Sequence, residues 1–232
     1  MVKGVGVMVE GQSSEAVEQF RLRLDDRLDP ALRRSSELGF IGTMPIADQI
    51  DHALGFVAIL EEELGGPPSS VIDLGTGGGV PGLVLACCWP DTRVVMMDAS
   101  ERRTTFLLEV LESWTATHRG EVMRGRAEDL GRRDDLREAF EAVTSRSFGL
   151  PAATAECGSS FLGIGGLMVV SEPPDTPAGD RWPEGGLAIL GLTTVETRRP
   201  TGRYGYQVLR KTSHLDGRYP RRVGVPVKRP AF

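Results

Sequence analysis

The stretch "VIDLGTGGGVPG", residues 71–82, decides the fold of this chain. It joins an apolar, β-branched segment to a glycine-rich turn, and Gly77-x-Gly79-x-x-Gly82 has the spacing of a dinucleotide-binding loop. In an open parallel sheet such a turn follows the first strand, and its backbone amides closely approach a ligand at the strand's carboxyl end. The stretch therefore predicts a first strand, a cofactor loop and the start of a helix.

From the strand that leads into this loop onward, short apolar segments alternate with amphipathic segments. Strands are predicted at 69–74, 93–98, 121–125, 141–146 and 165–172, and helices at 81–89, 100–117, 134–141 and 151–162. Alternation of this kind indicates an α/β, Rossmann-like fold with a mostly parallel sheet and helices on both faces. Residues 187–199 and 204–212 are read as two further strands without a long helix between them, so the sheet of seven strands is expected to end in an antiparallel pair.

A helical pattern precedes the first strand. Apolar residues recur at helical intervals over residues 14–63, with Pro30 and Pro45 at expected helix starts. The break Gly65-Gly66-Pro67-Pro68 ends this pattern. We therefore expect a helical N-terminal extension over 1–66 and the main, cofactor-binding domain with its basic tail over 67–232.

Composition limits the class of protein. At 232 residues with 40% hydrophobic residues the chain can form one well-packed core. No apolar run of about 18 residues and no secretory signal is seen, so we expect a soluble, cytoplasmic protein without a membrane partner. Cys87, Cys88 and Cys157 lack metal-ligand spacing and are expected to be buried thiols, with no metal.

The net charge of −5 conceals an asymmetry along the chain. From Arg198 to Phe232 there are ten basic residues and one acidic residue, so this segment carries +9 and the remainder −14. A cationic end on an acidic body can bind an anion such as nucleic acid. A solvated basic edge strand and tail is the other interpretation of the same charges.

Two acidic residues beside the loop residues Gly75, Thr76, Gly77 and Gly79 favour one cofactor over another. Asp73 would repel a pyrophosphate but attract the sulfonium and ammonium groups of S-adenosylmethionine. Asp98 ends the second strand, where a carboxylate either binds the ribose hydroxyls or caps the next helix. Both roles fit Asp98 at this point. After the third strand, Ala127 and Glu128 either contact the adenine or cap a helix.

Four motifs together resemble a known family. "DLGTGGGVPG" (73–82), "GRAEDL" (125–130), "VTSR" (143–146) and "YPRRVGVPVKRPAF" (219–232) are similar to the bacterial 16S rRNA guanine-N7 methyltransferases, RsmG or GidB, which are class I S-adenosylmethionine-dependent enzymes. The resemblance runs from about Ile46 to the C-terminus. It implies S-adenosylmethionine as cofactor and 16S rRNA, or the small ribosomal subunit, as partner.

The resemblance also assigns residues. It places cofactor contacts on Gly75, Val80, Ala127, Glu128 and Arg146. Contacts with RNA are expected from four basic residues of the tail: Arg218, Arg221, Arg222 and Lys228. No catalytic residue is expected, because guanine N7 is nucleophilic without losing a proton and its methylation requires mainly alignment.

The chain departs from the family pattern at four places, one of which is the family's N-terminal Asn-Leu-Thr segment, not recognisable here. Ser171 and Glu172 stand where the family has a lysine after the fifth strand, and "SFGLPAATAE" (147–156) differs from the usual pattern after the fourth. His52 matches a family histidine, but Ala53-Leu54-Gly55 follows it; a lone histidine on a helix face is expected to be packed, not catalytic. These departures leave open a methyltransferase of a small molecule and a non-catalytic binding or regulatory protein, with an NAD oxidoreductase as the weakest alternative.

Overall fold

A computed structural model describes residues 17–114, 118–173 and 181–232 of the chain. Residues 17–21 are helical. The helices are α1 (Leu28–Glu37), α2 (Ile46–Leu64), α3 (Gly82–Cys88), α4 (Glu101–Ser113), α5 (Ala127–Leu130), α6 (Pro151–Ser159), α7 (Glu184–Ile189) and α8 (Val225–Lys228). The strands are β1 (Ser70–Leu74), β2 (Arg93–Asp98), β3 (Arg119–Arg124), β4 (Phe140–Ser145), β5 (Leu162–Glu172), β6 (Leu192–Arg198) and β7 (Gly205–Lys211).

These strands form one seven-stranded sheet in the order β3-β2-β1-β4-β5-β7-β6. β1 pairs with β2 and β4 in parallel, β2 with β3 and β4 with β5 also in parallel, whereas β7 is antiparallel to β5 and β6. The predicted α/β, Rossmann-like class and the antiparallel end of the sheet are thus confirmed. The chain reverses its strand order at β1 and β4, and in such sheets ligands bind at the carboxyl ends there.

Apolar residues cover both faces of the sheet. Along β1 successive side chains point to opposite faces, so Val71 packs with α1–α4 and Ile72 packs with α6 and α7. The helices within residues 28–64 share the first of these cores with β1 and α3. The division of the chain into a 1–66 extension and a 67–232 domain stays a prediction.

Two predicted elements are wrong. The helix expected at 134–141 is a series of turns followed by β4, because tertiary contacts hold Glu138: its backbone has a φ of 51°, its amide donates to Ser160 O (2.8 Å), and its carboxylate accepts from Leu215 N (2.7 Å). The strand expected from residue 187 starts at Leu192. Residues 187–189 belong to α7, since a short apolar run cannot distinguish helix from strand.

In the part of the chain that the structure describes, no helix is long and apolar enough to cross a membrane. Residues 14–16 and 115–117 of the predicted helices lie outside the described residues.

Candidate functional site

The glycine loop joins β1 to α3 and is tied to the neighbouring strand. Gly75 has a φ of +69°, and a Cβ at this position would lie 2.6 Å from the ring of Phe148. The amide of Thr76 donates to Met97 O at 2.9 Å, and the amide of Gly77 donates to Asp98 Oδ2 at 3.0 Å. The loop therefore has a fixed conformation at the ends of β1 and β2.

Two cavities meet at this loop. The strand-end cavity lies beyond β1, β2 and β3 and is lined by Gly75, Asp98, Ala127, Glu128, Phe148 and Val227, among others. The glycine-loop cavity is lined by Gly75, Thr76, Gly77, Val80, Arg146 and Ser147, among others. Together they bring eight of the ten predicted cofactor residues onto adjoining walls, and Gly75 belongs to both.

Asp98 stabilises the loop and also lines the strand-end cavity. Its Oδ1 accepts from Ser100 N at 2.8 Å, and Arg103 Nη1 lies 3.5 Å from Oδ2. Ser100 holds the N-cap position of α4, and no side chain caps it. The helix-cap interpretation of Asp98 is therefore replaced by a turn that leaves the carboxylate on the cavity wall, where each oxygen keeps a further lone pair.

Arg146 directly follows β4, at the mouth of the glycine-loop cavity. It is half-buried, and burial lowers the pKa of its guanidinium. Within the described residues its guanidinium forms no hydrogen bond and no ion pair, which is costly for a desolvated cation. Its position suits an anionic or carbonyl-bearing ligand.

Asp73 and Gly79 lie behind the loop, not on a cavity wall. Asp73 was expected to attract the cofactor's cationic groups, but it is fully buried, and its two oxygens accept from Thr144 Oγ1 (2.9 Å) and Gly82 N (3.0 Å). The side chains of Asp73 and Val71 point to the same face of β1, the face that packs against α1–α4. The Asp73 carboxylate therefore lies beneath the loop. A Cβ on Gly79 would meet Leu83, which packs against the loop from α3. Both residues support the loop from below.

The Asp73 carboxyl group makes stability depend on pH. Burial raises its pKa from 3.8 to about 6. Between these values the folded protein keeps a proton that the unfolded chain has lost, so this contribution to stability is complete below pH 4 and is lost as the pH rises through 6. A shift of two pKa units corresponds to about 3 kcal/mol.

Asp73→Asn should remove this dependence. An amide preserves the shape, accepting from Gly82 N and donating to Thr144 Oγ1, but it does not titrate. Urea unfolding from pH 4 to 7 should show the wild-type protein losing about 3 kcal/mol relative to the variant. Parallel stability profiles for the two proteins would rule out a raised pKa at Asp73.

The C-terminal tail forms one wall of the strand-end cavity. Glu128, only 4% exposed, accepts from Gly224 N at 2.9 Å, and Pro226 and Val227 of α8 line the cavity beyond it. Sequence reasoning missed Phe148, Pro226 and Val227 as cavity residues. The tail motif was visible, but its charges suggested only a contact with RNA.

The four basic tail residues differ in their surroundings. Arg221 donates from Nε and Nη2 to the fully buried carboxylate of Glu156, at 2.5–3.0 Å. Arg218 is exposed and pairs with Asp216 at 3.7 Å. Arg222 and Lys228 are exposed and form no ion pair among the residues that the structure describes. Arg221 is therefore a structural residue, whereas Arg218, Arg222 and Lys228 lie exposed and are accessible to a ligand.

His52 and the cysteines are packed groups. His52 stacks on Tyr204 with ring centroids 4.5 Å apart and an angle of 6° between planes, and burial lowers its pKa to about 3. Cys88 and Cys157 are buried free thiols, Cys87 is partly buried, and burial raises their pKa. Among the described residues no group of three His, Cys, Asp or Glu is arranged to hold a metal ion.

A third cavity, here called the β5 cavity, adjoins the other two. It is lined by residues that include Ser145, Arg146, Ser171, Glu172, Trp182 and Tyr204. It shares Arg146 and Ser147 with the glycine-loop cavity, and Phe148 and Gly149 with the strand-end cavity. The segment 146–149, directly after β4, therefore lies at the boundaries between the three cavities.

Comparison with known proteins agrees with this architecture. The structure is similar to an O-methyltransferase from Bacillus cereus in complex with SAH (TM-score 0.57, 16% identity, 82% of this chain and 91% of that one). It is also similar to the O-methyltransferase TomG from Streptomyces achromogenes in complex with SAM (TM-score 0.54, 17% identity, 89% of this chain and 100% of that one). At these identities the likeness shows the class I methyltransferase fold alone.

Sequence comparison is more specific. Ribosomal RNA small subunit methyltransferase G from Leuconostoc mesenteroides is 35% identical over 180 residues, 75% of this chain and 74% of the relative. The protein of the same name from Thermotoga neapolitana is 33% identical over 165 residues, 69% of this chain and 71% of the relative. The family model "GidB: rRNA small subunit methyltransferase G" matches residues 49–172, more than half of the chain. The resemblance to this family is thereby confirmed, and the chain belongs to the GidB family of rRNA small subunit methyltransferases.

Proposed function

We propose that this protein transfers a methyl group from S-adenosylmethionine to N7 of a guanine in small-subunit rRNA. The observation that carries the proposal is the pair of cavities meeting at Gly75, at the strand-order reversal of a chain that belongs to the GidB family. The curated relatives carry the name ribosomal RNA small subunit methyltransferase G, and the guanine N7 target follows from that family.

The residues present fit this cofactor. Gly75 has no side chain where the two cavities join, so an extended ligand can pass the loop. Asp98 offers free lone pairs for ribose hydroxyls, and the backbone of Ala127 and Glu128 lies at the end of β3 for the adenine edge. Arg146, without an ion-pair partner in the described residues, suits the carboxylate of the methionine end. When bound, S-adenosylmethionine supplies an electrophilic methyl group on a sulfonium.

Methyl transfer to guanine N7 requires that the reacting groups be oriented, and it requires no proton transfer. Guanine N7 attacks through an in-plane lone pair, so the protein must hold N7 in line with the methyl carbon and exclude competing geometries. His52 agrees with this account, since its lowered pKa makes it a poor base and Tyr204 covers its ring. The target base must leave its stack to reach the site, which favours a single-stranded loop or incompletely assembled RNA.

For RNA we propose contacts from Arg218, Arg222 and Lys228, which lie exposed on the segment that walls the strand-end cavity. These contacts are supported by the positive charge and the exposure of the three side chains beside the site. Contacts with phosphate position a nucleic acid without reading its sequence. Arg221 contributes to the same surface by holding this segment on Glu156.

The test is mass mapping of methylated nucleosides in 16S rRNA from a gene-deletion strain and its parent. The proposal expects one N7-methylguanosine to disappear in the deletion strain and to return when the gene is restored. Unchanged rRNA modification, together with S-adenosylmethionine binding by the purified protein, would refute the rRNA assignment and favour a small-molecule acceptor.

A further inference from the structure

The β5 cavity contains buried polar groups that no other residue in the described parts of the chain satisfies. Among the described residues, Ser145 Oγ, Thr154 Oγ1 and both ring nitrogens of His52 have no hydrogen-bond partner. Ser145, Thr154 and His52 are all at least nine-tenths buried, and all three line this cavity. Each unsatisfied buried polar group costs about 1–3 kcal/mol. Such a cluster on one cavity wall indicates a site that receives a polar ligand.

The walls of the β5 cavity suit a flat ring. Phe148, Trp182 and the stacked pair of His52 and Tyr204 provide aromatic surface, on which an unstacked base can pack. The cavity meets the glycine-loop cavity at Arg146. A ring placed here therefore lies next to the proposed cofactor site.

One carboxylate lies among the cations of this wall. Glu172 has a side chain that is only 7% exposed. Trp182 Nε1 donates to its Oε1 at 3.0 Å, and Arg181 Nη1 donates to its Oε2 at 2.6 Å. These two bonds fix the carboxylate and leave each oxygen one more lone pair, since a carboxylate has about four acceptor sites. It is thus held ready to accept a pair of adjacent donors.

Guanine alone among the four RNA bases presents two adjacent donors, N1–H and N2–H₂, on its Watson–Crick edge. Adenine and cytosine present an acceptor beside an amino group, and uracil a single N–H between two carbonyls. Guanine N7 lies on the opposite side of the ring from N1 and N2. A carboxylate bound to N1–H and N2–H₂ therefore leaves N7 free.

We propose that the β5 cavity is the acceptor-base pocket and that Glu172 selects guanine by accepting hydrogen bonds from N1–H and N2–H₂. This inference rests on the proposed methyl transfer to an RNA guanine. It gives a function to the residue by which this chain departs from its family. Glu172 is a specificity-determining residue, and Arg181 and Trp182 position it.

The test uses the purified full chain and compares wild type with Glu172→Gln. The amide keeps the size of the side chain, but its NH₂ group opposes one base donor. Glu141→Gln is the matched control: Glu141 accepts two hydrogen bonds from Ser69, at the opposite end of the sheet. The amide NH₂ also faces one of the two protein donors, Arg181 or Trp182, so a lower midpoint of thermal unfolding is expected. A single cooperative unfolding transition and an unchanged S-adenosylmethionine affinity show that Glu172→Gln folds and keeps its cofactor site.

Two readouts decide the inference. Glu172→Gln should lower kcat/KM for methylation of unmodified 16S rRNA by about 10- to 100-fold, the range of a bidentate base contact; Glu141→Gln should not. With S-adenosylhomocysteine present, wild type should bind GMP more tightly than IMP, which lacks the 2-amino group, and AMP least. Glu172→Gln should lose the preference for GMP over IMP.

The outcomes separate this inference from the proposed function. Wild-type methylation of 16S rRNA with an equally active Glu172→Gln would overturn the role of Glu172 and leave the function standing. If wild type does not methylate 16S rRNA, the proposed function fails, and the nucleotide preferences still decide the inference. Equal binding of GMP, IMP and AMP by wild type would overturn it directly.

Discussion

Gly75→Val should abolish measurable binding of S-adenosylmethionine, with a loss of affinity of more than about 100-fold, equivalent to about 3 kcal/mol. Gly75 has a φ of +69°, which a β-branched residue adopts only with strain. A Cβ there would already lie 2.6 Å from the Phe148 ring, and the valine methyls would fill the junction of the strand-end and glycine-loop cavities. Isothermal titration calorimetry measures the loss.

Gly65→Val is the matched control for this experiment. Gly65 has a φ of +78° and no atom within 4 Å of a built Cβ, so it carries similar backbone strain without a steric neighbour. It ends α2, outside the three cavities. Both variants should lose stability, but only Gly75→Val should lose the cofactor. Equal affinities in the two variants would place the cofactor elsewhere.

Arg221→Ala should destabilise the protein by about 3–5 kcal/mol, because it leaves the fully buried carboxylate of Glu156 without its cation. The tail should then detach from Glu128, and S-adenosylmethionine should bind more weakly through loss of the wall formed by Pro226 and Val227. Chemical denaturation and calorimetry report the two effects separately.

The neighbouring Arg222 supplies the control. It is exposed and forms no ion pair in the described parts of the chain, so Arg222→Ala should change the free energy of unfolding by less than about 0.5 kcal/mol. Adding Glu156→Gln to Arg221→Ala should recover part of the lost stability, since the buried charge is removed. If Arg221→Ala were as mild as Arg222→Ala, the tail would not depend on this ion pair.

The fold was predictable because its signals are local. The glycine loop, and the alternation of β-branched strands with amphipathic helices, indicated the sheet and its antiparallel end. The helix predicted at 134–141 is wrong because a contact between residues distant in the sequence determines the conformation there. Glu138 leaves the helical conformation because it bonds to Leu215, 77 residues away. The apolar segment at 187–190 carries no period that distinguishes a strand from the end of a helix.

The sequence predicted which residues lie at the site where the glycine loop and the strand ends fix their positions. It did not predict the direction in which a strand side chain points. Gly75, Asp98 and Arg146 lie on cavity walls because parallel strands end at one edge. Asp73 does not, because β1 is buried on both faces and its sequence does not tell which face supports the loop. Thr144 gives the missing information: it sits opposite Asp73 across β1 and β4 and donates to its carboxylate.

Because the C-terminal tail forms one wall of the strand-end cavity, this cavity is completed late during synthesis of the chain. Gly224 follows Glu128 by 96 residues, so β1, β2 and β3 leave the ribosome well before the segment that completes the strand-end cavity. A nascent chain can build its sheet from the N-terminal side, as domains do during translation, while this cavity still lacks one side. The protein therefore becomes able to bind a ligand in this cavity only late in synthesis. Truncation before Gly224 leaves a chain that has the glycine loop but an open cavity.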